Sequence, residues 1–194
     1  MLCDITRTTS CSSIYVRRRS LGAAPVTLTV KNLSLNAAYY AITLALVPAT
    51  VLQLEWRWWG ATQPRWVLRL LGAAVGLAGV LLQGWSIILL QRGGGGTPSP
   101  VVPPARLVTS GPYGWVRNPL NLGEVLLLAA LAAWFGSWLL AVYAALALVG
   151  FHLFILMWEE PRHRVLFGPS YGAYTGRVNR LLPRRPAGSK GTAA

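Results

Sequence analysis

Four apolar runs dominate this chain of 194 residues and limit the folds it can adopt. A membrane-spanning helix requires about 20 mainly apolar residues. Segments that approach or reach this length are residues 37–56, 66–90, 119–135 and 137–158. Overall, 54% of the residues are hydrophobic and 12% are charged, which is too apolar for a soluble domain of this size. We therefore predict an all-α integral membrane protein with about four transmembrane helices.

The distribution of Lys and Arg predicts the orientation in the membrane. Basic residues precede the first run, follow the fourth and occur in the long second loop, whereas the third loop has none. Positively charged loops stay on the cytoplasmic side, so we expect both termini and the second loop to be cytoplasmic. The net charge of +13 could also indicate nucleic-acid binding, but no nucleic-acid motif accompanies it.

Loops and small residues predict how the helices pack. The sequence "WFGSW" at residues 134–138 should form a tight turn, which makes the third and fourth runs an antiparallel hairpin. Glycines stud the second run and predict close helix packing; they are Gly72, Gly76, Gly79 and Gly84. Pro48 should kink the first run.

The segments that flank the apolar core differ from it in composition. Residues 1–35 are basic and rich in Ser and Thr, which suits a poorly ordered cytoplasmic tail, a transit peptide or an over-extended start. Residues 36–185 should form the membrane domain and residues 186–194 a flexible tail. In the second loop, four glycines and a Pro-rich stretch predict a strap or lid over the cytoplasmic face. Cys3 and Cys11 have no nearby partners for a metal site, and we predict none.

Polar residues interrupt the start of the third run, in "GPYGWVRNPLNLGE" at residues 111–124. Arg117, Asn118, Asn121 and Glu124 lie where the hydrocarbon should begin. Glu124 would lie about one turn inside the membrane. An ionisable residue there is costly and normally faces protein or water, so Glu124 is a candidate functional residue.

Two adjacent acids end the fourth run, in "EEP" at residues 159–161. Pro161 disfavours continuation of the helix and suits the first turn of a new one, so we predict a break there, followed by a C-terminal interfacial helix. The hairpin brings Glu159 and Glu160 to the side where Arg117 and Glu124 lie, so the two clusters should converge. A purely structural alternative is that the acids only pair with nearby arginines.

The ordered succession of motifs resembles a known group of enzymes. The pieces are "GTPSPVVPPARLVTSGPYGWVRNPLNLG", a helical hairpin, "EEP" and "FGPSYGAYTGRVNRLLP", over roughly residues 66–185. This succession resembles the integral membrane methyltransferases of the isoprenylcysteine carboxyl methyltransferase and phospholipid methyltransferase families. The resemblance implies S-adenosylmethionine as cofactor, held at the cytoplasmic face by the second-loop motif and the C-terminal part.

Residue by residue, the resemblance implies a set of cofactor-binding positions. They are Tyr113, Arg117, Asn118, Pro119, Asn121, Gly123, Glu159, Glu160, Tyr171 and Tyr174. Pro183 also matches the pattern. Asn118 replaces the histidine of many members, and Asn121 stands where a tyrosine is usual.

The implied reaction is methyl transfer to a lipophilic acceptor, either a prenylcysteine-type carboxylate or a phospholipid amine. Glu159 and Glu160 would hold the amino group of the cofactor, and Arg117 would bind its carboxylate. An amine must lose a proton, so Glu124 and Glu160 are the candidate catalytic bases. Two alternatives remain open: "RNPLNLGE" also resembles a segment of the NADPH-dependent membrane sterol reductases, and the chain could be a non-catalytic tetraspan scaffold.

Overall fold

The computed structural model describes residues 30–61, 64–94 and 106–181, and the regular secondary structure in these ranges is helical. The α-helices are α1 (Val30–Ala41), α2 (Val47–Trp59), α3 (Trp66–Leu89), α4 (Pro119–Phe135), α5 (Trp138–Phe154), α6 (Glu160–Phe167) and α7 (Pro169–Thr175). Three π-helical segments extend or join them: Ile42–Leu46, Leu90–Gly94 and Ile155–Glu159. A 3₁₀ turn, Gly111–Gly114, precedes α4. The predictions for residues 1–29, for most of the second loop and for the C-terminal tail, including Pro183, lie outside the described residues.

Within the described residues, three continuous helices are long and apolar enough to cross a membrane. We call them the first, second and third long helices: Ser34–Trp59, Trp66–Gly94 and Trp138–Phe167. The remaining apolar helix, α4, has 17 residues and is shorter than the other three. The described residues confirm the predicted all-α class with three candidate membrane-spanning helices, and α4, one of the four predicted spans, is a shorter apolar helix packed against the long ones.

The predicted break at Pro161 is wrong, because the third long helix continues through it to Phe167. A proline ring clashes with the carbonyl four residues earlier in a regular α-helix. Here the turn before the proline is π-helical, and the backbone N–H of Glu160 donates to the carbonyl oxygen of Ile155. This wider turn relieves the clash and lets the helix continue. Pro48 likewise follows a π-helical segment. The first long helix therefore changes its winding at the position where the sequence predicts a kink.

Close packing of α3 on α4 builds the centre of the bundle. A Cβ atom at Gly72 would lie 2.9 Å from a backbone oxygen of α4, and one at Gly79 would lie 3.1 Å from the carbonyl oxygen of Gly123. Gly76 also faces α4, whereas a Cβ at Gly84 would meet nothing within 4 Å. The packing role is confirmed for the first three of the predicted glycines and wrong for Gly84.

The hairpin turn also anchors the first long helix. α4 ends at Gly136, whose φ of +65° suits glycine. Ser137 then caps α5 by accepting a hydrogen bond from the backbone N–H of Leu140, and its hydroxyl donates to the buried carboxylate of Glu55 in α2. Because Glu55 comes from the first long helix, this contact ties that helix to the α4–α5 turn at one end of the bundle.

Candidate functional site

A cavity of about 560 Å³ lies at the opposite end of the bundle, where α4 begins. Its wall is formed by α1, the approach to α4 and the first turns of α4, the last turns of the third long helix, and α7. Residues predicted from the sequence that line this cavity are Tyr113, Arg117, Asn118, Pro119, Asn121, Glu124, Glu159, Tyr171 and Tyr174. The predicted convergence of the two polar clusters is therefore confirmed.

Two predicted site residues lie elsewhere. Gly123 is buried against α3, where a Cβ atom would lie 3.1 Å from the Cβ of Gln83. Its position serves helix packing, because only glycine permits this approach of α4 to α3. Glu160 is also not part of the cavity wall. Neither location favours the direct cofactor contact that the family resemblance implies for Gly123 and Glu160.

Glu160 is instead the centre of an arginine cluster. One of its oxygens, Oε1, forms an ion pair with Arg117 Nη1 at 2.9 Å and accepts a hydrogen bond from Arg180 Nε at 2.6 Å. The other, Oε2, lies 3.2 Å from Arg180 Nη2 and 3.8 Å from Arg164 Nη2. Both carboxylate oxygens of Glu160 are therefore paired with arginines. These contacts fit the alternative in which this acid only pairs with nearby arginines.

Glu159 faces the cavity and has different partners. Consecutive side chains on a helix point roughly 100° apart, so the two neighbouring acids point in different directions. With its side-chain amide oriented to satisfy both polar atoms, Asn118 donates to Glu159 at 3.1 Å to Oε1 and 3.3 Å to Oε2. Because the Asn118 amide is neutral, it orients the Glu159 carboxylate without neutralising its charge.

Aromatic residues hold the 3₁₀ turn against the C-terminal segment. The Tyr174 hydroxyl donates to the carbonyl oxygen of Tyr113 at 2.6 Å, and the Tyr113 hydroxyl donates to the carbonyl oxygen of Ser86 at 3.5 Å. Burial raises the pKa of both phenols above the ordinary value, so both stay protonated and act as donors. Through these bonds, the tyrosines that line the cavity also hold the surrounding backbone segments together.

A short backbone pairing positions the approach to α4. Val116 and Asn179 form an isolated parallel β-bridge. The N–H of Arg117 donates to the carbonyl oxygen of Asn179 at 2.8 Å, and the N–H of Asn118 donates to that of Arg180 at 3.2 Å. Residues after α7 thus return to the start of α4, and they place Arg180 where it reaches Glu160.

Two buried polar atoms among the cavity-lining residues have no hydrogen-bond partner within the described part of the chain. One is Oε1 of Glu124, a residue that is 2% exposed and whose Oε2 accepts from the Tyr39 hydroxyl at 3.1 Å. The other is Nε of Arg117. A buried polar atom without a partner costs about 1–3 kcal/mol. A ligand with one acceptor and one donor at suitable positions would satisfy both.

Sequence reasoning missed the contribution of the first long helix to the site. Asn36, Tyr39 and Tyr40 line the cavity from α1. Two adjacent tyrosines in an apolar run indicate a polar function at that depth in the membrane, and this pattern can be recognised in the sequence. The sequence cannot show that they face Glu124, because the two helices are 85 residues apart at the contact between Tyr39 and Glu124.

The chemistry of the wall suits a ligand that carries charges of both signs. The guanidinium of Arg117 offers an unused N–H donor, while Glu159 and Glu124 offer carboxylates. Ring walls from Tyr113, Tyr171 and Tyr174 offer apolar faces. This combination suits a ligand that carries an amino group, a carboxylate and an aromatic ring system.

Comparison with known proteins identifies the family. The family model described as phospholipid methyltransferase matches residues 67–170, which is more than half of the chain. Comparisons with curated proteins and with solved structures each found no match. The matched range contains α3 to α6, including Arg117, Glu124 and Glu159, and leaves α1 and α2 outside it. The chain is therefore an integral membrane protein that belongs to the phospholipid methyltransferase family.

Proposed function

We propose that this protein transfers a methyl group from S-adenosylmethionine to the amine of a membrane lipid. The observation that carries the proposal is the pair of unpartnered buried atoms, Arg117 Nε and Glu124 Oε1, among the residues that line one cavity. Membership of the family supports the reaction class. The proposal includes an orientation with both termini and the cavity on the cytoplasmic side, supported by the distribution of Lys and Arg.

In the proposed cofactor complex, two side chains bind the amino-acid part of the cofactor, and two others hold them in place. The Nε–H of Arg117 donates to the carboxylate, and Glu160 holds the rest of that guanidinium in place. Glu159, oriented by Asn118, accepts from the amino group and lies near the positive charge. When bound, the cofactor supplies an electrophilic methyl group on a sulfonium.

The acceptor is proposed to be an amine because of the charges around the cavity. Glu124 and Glu159 line it, and the lining guanidinium of Arg117 is already paired with Glu160, so a carboxylate acceptor beside Glu124 would be repelled. An amine N–H instead provides the donor that Glu124 Oε1 lacks. Glu124 Oε1 would accept the proton that the amine loses as its nitrogen takes the methyl group, with the neutral thioether form of the cofactor as the leaving group. The apolar helices hold the lipid tail and exclude water, and alignment of the reacting atoms supplies most of the rate acceleration.

Methyl transfer from radiolabelled cofactor tests the proposal directly. Purified protein in lipid nanodiscs is supplied with separated phospholipid classes and with prenylated peptides, and the labelled product is identified. We expect label in an amine phospholipid, and a loss of about 100-fold or more in kcat with Glu124→Gln, in the range found for general base catalysis.

The alternatives predict different results in the same system. Label only in prenylated peptides would contradict the amine acceptor. Calorimetric binding of NADPH without binding of S-adenosylmethionine would support the reductase. Cofactor binding without transfer to any acceptor would support the scaffold.

A further inference from the structure

The first long helix lies outside the residues that match the family, yet it contacts the candidate base. The match begins at residue 67, and α1 precedes it. Tyr39 of α1 donates its hydroxyl hydrogen to Oε2 of Glu124 at 3.1 Å. The Thr43 hydroxyl, one turn along the same helix, also acts on the Glu124 carboxylate, while Oε1 has no hydrogen-bond partner among the described residues.

We infer that Tyr39 is a positioning residue for Glu124, and that the first long helix thereby completes the acceptor site. The inference rests on the proposed function. The terminal torsion of a glutamate is broad, so an unrestrained carboxylate would present either oxygen in many directions. A hydrogen bond to Oε2 removes that freedom and directs Oε1 towards the acceptor amine. Pre-orientation of this kind acts on the rate of the chemical step more than on cofactor binding.

Contacts along the first long helix hold Tyr39 in register. The Thr43 hydroxyl donates to the carbonyl oxygen of Tyr39 at 3.0 Å, and the Tyr143 hydroxyl of α5 donates to the carbonyl oxygen of Thr43 at 3.3 Å. At the far end, the Ser137 hydroxyl donates to Glu55. The helix is therefore attached to the α4–α5 hairpin at two levels, and the tyrosine hydroxyl reaches Glu124 from a fixed position.

A double-mutant cycle tests whether Tyr39 acts through Glu124. Tyr39→Phe removes only the hydroxyl, and its effect on kcat is measured in nanodiscs in the native protein and in the Glu124→Gln protein. We expect Tyr39→Phe to lower kcat about tenfold or more in the native protein, the size typical of a hydrogen bond to a charged group. In the Glu124→Gln background it should lower kcat by less than about twofold, and the Kd for S-adenosylmethionine should stay within about twofold in each variant.

Two further variants keep the test decisive. Glu124→Asp withdraws the carboxylate from the Tyr39 hydroxyl but keeps an acid, so it supplies a second background if Glu124→Gln turns over too slowly to measure. Thr50→Val is the matched control, because it also removes one hydroxyl from the first long helix, one that donates to the carbonyl oxygens of Leu46 and Val47, and its effect should multiply with that of either Glu124 variant.

The outcomes separate this inference from the proposed function. Equal losses from Tyr39→Phe in the native and Glu124 backgrounds would overturn the positioning role and leave the methyl transfer intact. Unchanged kcat in Tyr39→Phe would do the same. An absence of methyl transfer in the native protein overturns both.

Discussion

Glu159 and Glu160 are adjacent, and the structure predicts that replacing each by Gln affects a different property. Glu160 lies in the arginine cluster outside the cavity wall, so Glu160→Gln should destabilise the fold. Glu159 lines the cavity, and its partner within the described residues is the neutral Asn118 amide, so Glu159→Gln should weaken cofactor binding and change stability little. The family resemblance implied cofactor binding for both acids, with Glu160 also a candidate base.

Burial of the partners sets the size of each effect. The side chains of Arg117 and Glu160 are 9% and 4% exposed and lie 2.9 Å apart, and breaking such a buried pair costs about 3–5 kcal/mol. Arg180 is 35% exposed and Arg164 is 68% exposed, so their pairs with Glu160 contribute at most about 1 kcal/mol each. The Gln side chain keeps one acceptor oxygen, so the expected loss of folding free energy lies at the lower end of this range, about 3 kcal/mol. Loss of a charge-assisted bond from Glu159 costs about 1.5–3 kcal/mol, a change in Kd of about 10- to 100-fold.

Thermal unfolding in nanodiscs and calorimetry with S-adenosylmethionine measure the two effects on the same samples. About 3 kcal/mol should lower the apparent Tm of Glu160→Gln by roughly 6–12 °C. Arg164→Ala is the control, and its Tm should stay close to that of the native protein. The reasoning is refuted if Glu160→Gln keeps the native Tm while losing cofactor affinity, or if Glu159→Gln unfolds early and binds the cofactor as well as the native protein does.

Further predictions concern the packing of the bundle and the aromatic wall. Gly72→Ala should destabilise by about 1–3 kcal/mol, because its Cβ would lie 2.9 Å from a backbone oxygen that cannot move aside; the control Gly84→Ala faces open space and should be neutral or slightly stabilising, so equal Tm shifts would contradict the packing role. Tyr174→Phe should cost about 1 kcal/mol through loss of its bond to the 3₁₀ turn. Burial raises the pKa of Tyr174. The hydroxyl therefore makes its full contribution to the free energy of unfolding below about pH 10, and this contribution is lost only as pH rises through the folded-state pKa. The Tm difference should therefore be constant from about pH 6 to about pH 9, and a difference that shrinks within this range would show that the phenol ionises early.

Properties that depend on local composition were predictable from the sequence. The apolar runs predicted helices, and their length and low charge predicted a membrane protein, because a helix satisfies its own backbone groups in hydrocarbon. The turn at Gly136 and the antiparallel hairpin followed from local chemistry as well. Since the hairpin returns the chain to its starting side, the approach of Asn118 to Glu159 was also predictable.

Tertiary structure decided what each of these residues contacts. The sequence could not separate Glu159 from Glu160, because the winding of the π-helical turn determines which acid faces the cavity and which faces the arginines. Nor could it show that Tyr39 reaches Glu124, since that contact depends on how a helix outside the family match is attached to the hairpin. Sequence patterns report periodicity and hydropathy along a segment, whereas the direction of one side chain depends on the packing of helices that are distant in the chain.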